Sequence, residues 1–226
     1  MDRTQAQSGA PSAICLREML PGDIPQLSEV HLTAAREPTP ALRNYYADKF
    51  SLYLRHPDST VIVAAAGSQV AGFVALTANN ASFIKHCRRP RSLLQAALRM
   101  LLGRYGFSPR RLRDHAAAVV QRLRAGHDDP ALQGLPLPAA WIDSLHVAPD
   151  WRRMGIATRL LDAAERWLGQ RNAKAVAVYA EADSVAAREV YGARGYQVLA
   201  ELSRVGVGKA WIMAKTLADQ PLEQTE

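Results

Sequence analysis

The stretch APDWRRMGIATRLL, residues 148–161, constrains the fold more than any other part of the chain. It follows AAWIDSLHV (139–147), which is rich in strand formers. After it, Leu160, Leu161, Ala164, Trp167 and Leu168 recur at the spacing of one helix face. A strand, a basic glycine-containing turn and an amphipathic helix therefore meet here. Such a joint aims unpaired backbone N–H groups and the positive end of a helix at whatever lies in front of it, and phosphate is the common guest. Gly155 leaves room for close approach, and Ala157 keeps the helix entry narrow. Arg152 and Arg153 add charge. Taken alone, the string fits an ordinary helix start with solvated arginines equally well.

The flanking chain supplies the rest of an α/β architecture. ICLREM (14–19) predicts a strand, and Asp23 is placed to cap a helix carrying Ile24, Leu27, Val30 and Leu32. A second helix spans ALRNYYADKFSLYLRH (41–56) and stops before Pro57. TVIVAAA and VAGFVALTA flank GSQ and predict a hairpin. The helix after the basic turn covers about 153–170. KAVAVYA, a short helix from Ser184 to Ala193 capped by Asp183 or Ser184, YQVLAEL and KAWIMAKT close the chain.

Composition bounds the class. With 48% hydrophobic and 22% charged residues, 226 residues suffice for one globular domain, here 13–217, with flexible ends at 1–12 and 218–226. No apolar run approaches the ~18–20 residues of a membrane span, and the start lacks a signal-peptide core. Cys15 and Cys87 belong to no motif, so neither a disulfide nor a metal site is expected. The expectation is a reduced, cytoplasmic protein.

The net charge of +7 is concentrated in one segment. Residues 80–138 carry Lys85 and ten arginines against Asp114, Asp128 and Asp129, a balance of +8, while the remainder is −1. The segment predicts two helices docked on a core. RSLLQAALRMLL (91–102) is apolar almost all round, so burial is expected. A second helix begins at Ser108-Pro109, presents Leu112, Ala116, Val119, Val120 and Leu123 as a stripe, and stops at Gly126. GLPLPA (134–139) then returns the chain to the strand. A structural face or a lid over the acceptor site ranks first, and a polyanion surface for nucleic acid or anionic lipid ranks last. The absence of aromatics among Arg110, Arg111, Arg113, Arg122 and Arg124 argues against single-stranded nucleic acid.

About thirty residues beyond the basic turn comes SVAAREVYGARGYQVL, with Ser184, Ala187, Tyr191, Gly195 and Tyr196 spaced along a helix that ends at a glycine and re-enters a strand. With this second motif the chain resembles the GNAT superfamily of N-acetyltransferases. Those proteins carry [Q/R]-x-x-G-x-[G/A] after their fourth strand and then N-x-x-A-x-x-x-Y-x-x-x-G-[F/Y]. The likeness spans the chain except the first dozen residues, the tail and most of 80–138, which enters as a basic helical insertion before the fourth strand. It implies a mixed, mostly antiparallel sheet of six to seven strands flanked by helices.

The resemblance also implies acetyl-CoA as co-substrate and direct attack on it by a primary amine in a ternary complex. Backbone amides from Arg153 to Thr158 (Arg153, Met154, Gly155, Ile156, Ala157, Thr158) would bind the diphosphate, with Arg152 adding charge. The pantetheine arm would pair near Leu145 and Val147, and the Leu145 N–H would hold the oxyanion. Ser184, Ala187 and Tyr191 would line the cofactor, Tyr191 being the acid that protonates the departing thiolate. Ser184 departs from the family asparagine. For the base, strand alternation groups Trp141, Asp143, Leu145 and Val147 on one face, which favours Asp143 and gives His146 the wrong parity unless a bulge intervenes. Asp143 is equally readable as a structural or substrate-orienting carboxylate. Proton loss through water to solvent is a third route. The competing reading is a catalytically weak sensor or scaffold that binds acyl-CoA. A homodimer stays open, as do the acceptor and the length of the acyl group.

Overall fold

A computed structural model of the protein describes residues 13–34, 39–106, 113, 134–181, 184–204 and 208–217. The hairpin around residues 67–69 forms as its apolar runs demand. β2 (Ser59–Ala66) pairs antiparallel with β3 (Gln69–Thr77), and both are covered on two faces. β1 (Ile14–Glu18) joins the outer edge of β2. β4 (Ala140–Val147) lies antiparallel to β3, and β5 (Ala175–Glu181) lies parallel to β4. β6 (Gln197–Arg204) and β7 (Gly208–Thr216) complete a seven-stranded sheet in the order β1-β2-β3-β4-β5-β7-β6, mixed and mostly antiparallel.

Six helices are described. α1 (Ile24–Leu32) and α2 (Leu42–Tyr53) cover one face, where Leu27, Val30, Phe50 and Tyr53 pack on Val61, Val63, Phe73 and Ala75. α3 (Asn80–Cys87) and α4 (Pro90–Leu101) follow β3. α5 (Ile156–Gly169) covers the opposite face, burying Ile156, Leu160, Leu161, Ala164, Trp167 and Leu168 against Ile62, Ala64, Leu76, Ile142 and Val176. Leu160, Leu161, Ala164, Trp167 and Leu168 are the apolar stripe read from the sequence, and Ile156 extends it. α6 (Val185–Ala193) lies between β5 and β6.

Four expectations need correction. Asp23 does not cap α1. Its carboxylate is held in a two-point ion pair by the Arg17 guanidinium (2.6 and 2.8 Å) and accepts the Leu20 N–H at 2.7 Å. The Arg17 hydrogen bond, reinforced by the Leu20 N–H and opposed by burial, holds its pKa below the usual carboxylate value. The stretch 91–102 is not buried: Leu93, Leu94, Leu98, Leu101 and Leu102 are each more than half exposed. α3 was not anticipated, although Asn79 caps it by accepting the Ser82 N–H at 3.0 Å and Phe83 anchors it in the core. The helix after the basic turn starts at Ile156, because Arg153 and Gly155 take positive φ (63° and 72°) and no helix continues through such residues. The predicted helix from Ser108 to Gly126 and the alternative cap Asp183 lie outside the described residues, except that Arg113 is helical.

Candidate active site

The parallel pairing of β4 and β5 lasts for three residue pairs, Ala140↔Val176, Trp141↔Ala177 and Ile142↔Val178, and then stops. β4 continues to Val147 still paired with β3, so its far edge opens onto a gap. The edge groups can be assigned. Ala148 N–H donates to Ala71 O at 2.9 Å, towards β3. Backbone groups alternate edges along a strand, so those of Leu145 and Val147 face the gap. Val147 O accepts from Arg152 Nε at 3.1 Å, which holds that side chain at the gap.

The basic turn closes the end of the gap. After a short 3₁₀ turn (Pro149–Trp151), the left-handed Gly155 delivers the chain into α5. The first helical hydrogen bond runs from Arg159 N–H to Gly155 O at 3.1 Å, so the Ile156, Ala157 and Thr158 amides precede it. No side chain among the described residues caps this helix start. Arg152, Arg153, Met154, Gly155 and Thr158 are exposed, and Ala157 is half-buried. A Cβ on Gly155 would meet nothing within 4 Å, so it is φ that makes glycine preferable here rather than crowding within the protein.

α6 brings Tyr191 to the same side. Ser184 caps it, its hydroxyl accepting the Ala187 N–H at 3.4 Å. That is a helix-capping use for the residue that departs from the family asparagine. Tyr191 is buried in the cluster that contains Ile142 and Ile156 and is edged by Leu145, Val147 and Ala187. Burial alone pushes its phenol well above the ordinary value, so it keeps its proton at neutral pH. Its ring lies 5.4 Å from that of Tyr196. The end of α6 is fixed by Gly195 (φ 84°), past which Tyr196 N–H returns to Tyr191 O at 3.1 Å. Glu165 of α5 then gathers Lys215 (2.7 Å), Arg194 (3.2 Å) and the Tyr196 hydroxyl (3.3 Å), tying α5, α6 and β7 together.

On the other side of β4 the alternation breaks. Ala75 pairs with Ser144 and Leu76 with Ile142, leaving Asp143 as the extra residue of a bulge. Asp143 is therefore separated from Leu145 and Val147, which pack towards α5, and faces α2 with His146 facing α1. The grouping expected from simple alternation is wrong for this reason.

The bulge creates a polar cluster. Tyr53 OH donates to Asp143 Oδ2 at 2.9 Å, and Lys49 Nζ donates to Ser144 Oγ at 3.3 Å. His146 lies 4.4 Å from His31 between ring centroids, and His31 stacks on Tyr46 at 4.0 Å. Burial raises the Asp143 carboxyl above its usual range, with Lys49 and the Tyr53 hydroxyl pulling it back. Burial also lowers Lys49, Asp143 opposing. His146 is pushed down to about 4 by burial, Lys49 and Arg152, and His31 to about 2 by burial, His146 and Lys49. His31, Lys49 and Tyr53 escaped the sequence reading. The available signal was a lysine sharing one face of α2 with Tyr46, Phe50 and Tyr53.

The chain matches the profile of the acetyltransferase (GNAT) family over residues 24–196, and it belongs to that family. No curated protein matches it by sequence. Among solved structures it is similar to SsHAT, at 20% identity and TM-score 0.64, covering 92% of this chain and all (100%) of that one. It is also similar to the ribosomal-protein-S18-alanine N-acetyltransferase from Escherichia coli, at 13% identity and TM-score 0.55, covering 95% and 100%. A third is yncA from Salmonella typhimurium, solved with its cofactor acetyl-CoA, at 11% identity and TM-score 0.55, covering 92% and 96%. At these identities the likeness is one of fold.

Proposed function

We propose that the protein transfers acetyl from acetyl-CoA to a primary amine by direct attack in a ternary complex. The observation that carries this reading is the early end of β4–β5 pairing beside the Arg152–Gly155 turn. An extended arm fits the open edge of β4 as an added strand, using the Leu145 and Val147 backbone groups. The uncapped start of α5, with Arg152 and Arg153 beside it, fits a diphosphate.

The bound thioester supplies an electrophilic carbonyl carbon and a thiolate leaving group. Leu145 N–H donates to the carbonyl oxygen as charge develops there. Tyr191 gives its proton to the sulfur as the carbon–sulfur bond breaks. Asp143 takes a proton from the amine nitrogen, and burial makes it a stronger base than an ordinary aspartate. His146 shares its face, but burial, Lys49 and Arg152 push its ring down to about 4, so it takes up a proton less readily than an ordinary imidazole. Ser184 and Ala187 line the cofactor from the start of α6. No helix among the described residues is long and apolar enough to cross a membrane.

Thiol release from acetyl-CoA, followed with purified protein and a panel of amines, tests the reading. Amine-dependent release is expected, whereas binding without turnover for every amine offered would favour the sensor or scaffold. A second test concerns the cradle. Acetyl-CoA at tenfold excess over its dissociation constant should stabilise the native state by about 1.4 kcal/mol, read as a rise in melting temperature. Gly155→Glu should remove that rise, since it strains the left-handed position and places a carboxylate before the amides. An unchanged rise would put the diphosphate elsewhere.

A further inference from the structure

α4 is inside out. Leu94, Ala97, Leu98 and Leu101 fall at i, i+3, i+4 and i+7, with Leu93 and Leu102 flanking, and this whole face is exposed, Leu101 at 85% and Leu94 at 71%. The opposite face carries Ser92, Ala96, Arg99 and Met100, all half-buried. The protein grips that face by polar contacts: Arg99 pairs with Asp48 of α2, and Tyr105 OH donates to the same carboxylate at 2.7 Å. Just beyond the helix, Asn44 Nδ2 donates to Arg104 O at 3.0 Å. Among the described residues this helix is anchored by its polar side and its apolar side is left uncovered.

The charge around it says what. Residues 80–106 contain six basic side chains and no acidic one. Lys85, Arg89 and Arg91 are exposed towards the start of the helix, and Arg104 just past its end. An apolar stripe rimmed by arginines is the composition of a helix that lies in the plane of a lipid interface. A nucleic acid would use the arginines but leave the leucines in water. A second copy of this chain would bring two strongly basic segments face to face. We propose that α4 is an interfacial helix that seats its leucine face in an anionic phospholipid surface, with the neighbouring arginines on the headgroups.

Vesicle flotation with the full chain tests this. The protein should float with phosphatidylcholine–phosphatidylglycerol vesicles, weaken as salt rises, and stay unbound with phosphatidylcholine alone. Leu94→Glu with Leu98→Glu should lower binding at least about tenfold, because two anchors are lost from the apolar face. Arg89→Glu with Arg91→Glu should lower it comparably. Both variants should keep the wild-type melting temperature, since these side chains are exposed. Absence of flotation overturns the proposal. So does a large fall in melting temperature of the leucine variant, which would mean that this chain covers the face itself. Concentration-dependent dimerisation lost in that variant without lipid would assign the face to a second copy. Salt-sensitive binding to RNA that ignores the leucine change would assign the arginines to nucleic acid.

Discussion

Tyr191→Phe should lower amine acetylation on the order of 10²-fold while leaving acetyl-CoA affinity and melting temperature nearly unchanged. The substitution removes one hydroxyl and keeps the ring. The ring packs in the cluster around Ile142 and Ile156 and against Tyr196, so the packing survives. What disappears is a proton held by a buried phenol, pushed well above its ordinary value, and therefore present for donation across the neutral range. A departing thiolate without a positioned donor must wait for water, and the cost appears in turnover rather than in binding. Steady-state kinetics with acetyl-CoA titration separates the two. A Phe variant with full turnover would reduce Tyr191 to a packing residue, and a variant with weakened acetyl-CoA binding would make it part of the cradle.

The parts of the site legible in the sequence were those built from short, contiguous backbone. The basic turn and the helix after it could be read because a glycine among arginines and the stripe from Leu160 to Leu168 are local features, although the left-handed Arg153 and Gly155 delay the helix start to Ile156. α6 could be read because Ser184 and Gly195 mark its two ends within a dozen residues. The polar cluster was out of reach. It depends on α1, α2 and β4 arriving together from three regions of the chain, and on a single extra residue, Asp143, that reverses the expected faces. Alternation rules carry no information about bulges, which are decided by the partner strand. α4 misled for a related reason. Its leucines read as core, yet Asp48 and Asn44 of α2 engage the segment by polar contacts and turn that side outward.

Acid should destabilise the protein between pH 6.5 and about 4, and replacing His31 should flatten that slope. His31 and His146 lie against each other between α1 and β4, their rings tilted by 45°, with Tyr46, Phe73 and Lys49 around them. Among the described residues, Nδ1 of His31 is buried without a hydrogen-bond partner, so no acceptor among them rewards a second proton. Both rings are held well below an unfolded histidine near 6.5, His146 at about 4 and His31 at about 2. In this window the unfolded chain binds protons that the native state refuses. The stability present above pH 6.5 is therefore lost progressively as pH falls towards those values. Each histidine contributes at most about 1.4 kcal/mol per pH unit, hence roughly 3 kcal/mol across the window as a ceiling. Asp143 works in the opposite sense, since its raised carboxyl takes up a proton more readily folded than unfolded, but it is one group against two. The Arg17–Asp23 pair adds its own acid loss only below about pH 4. His31→Phe keeps a ring against Tyr46 and Phe73 and removes one of the two titrations. Chemical denaturation at a series of pH values should give a shallower fall for His31→Phe than for wild type between pH 6.5 and 4. Parallel curves would mean that His31 takes up its proton in the folded protein as easily as in the unfolded one.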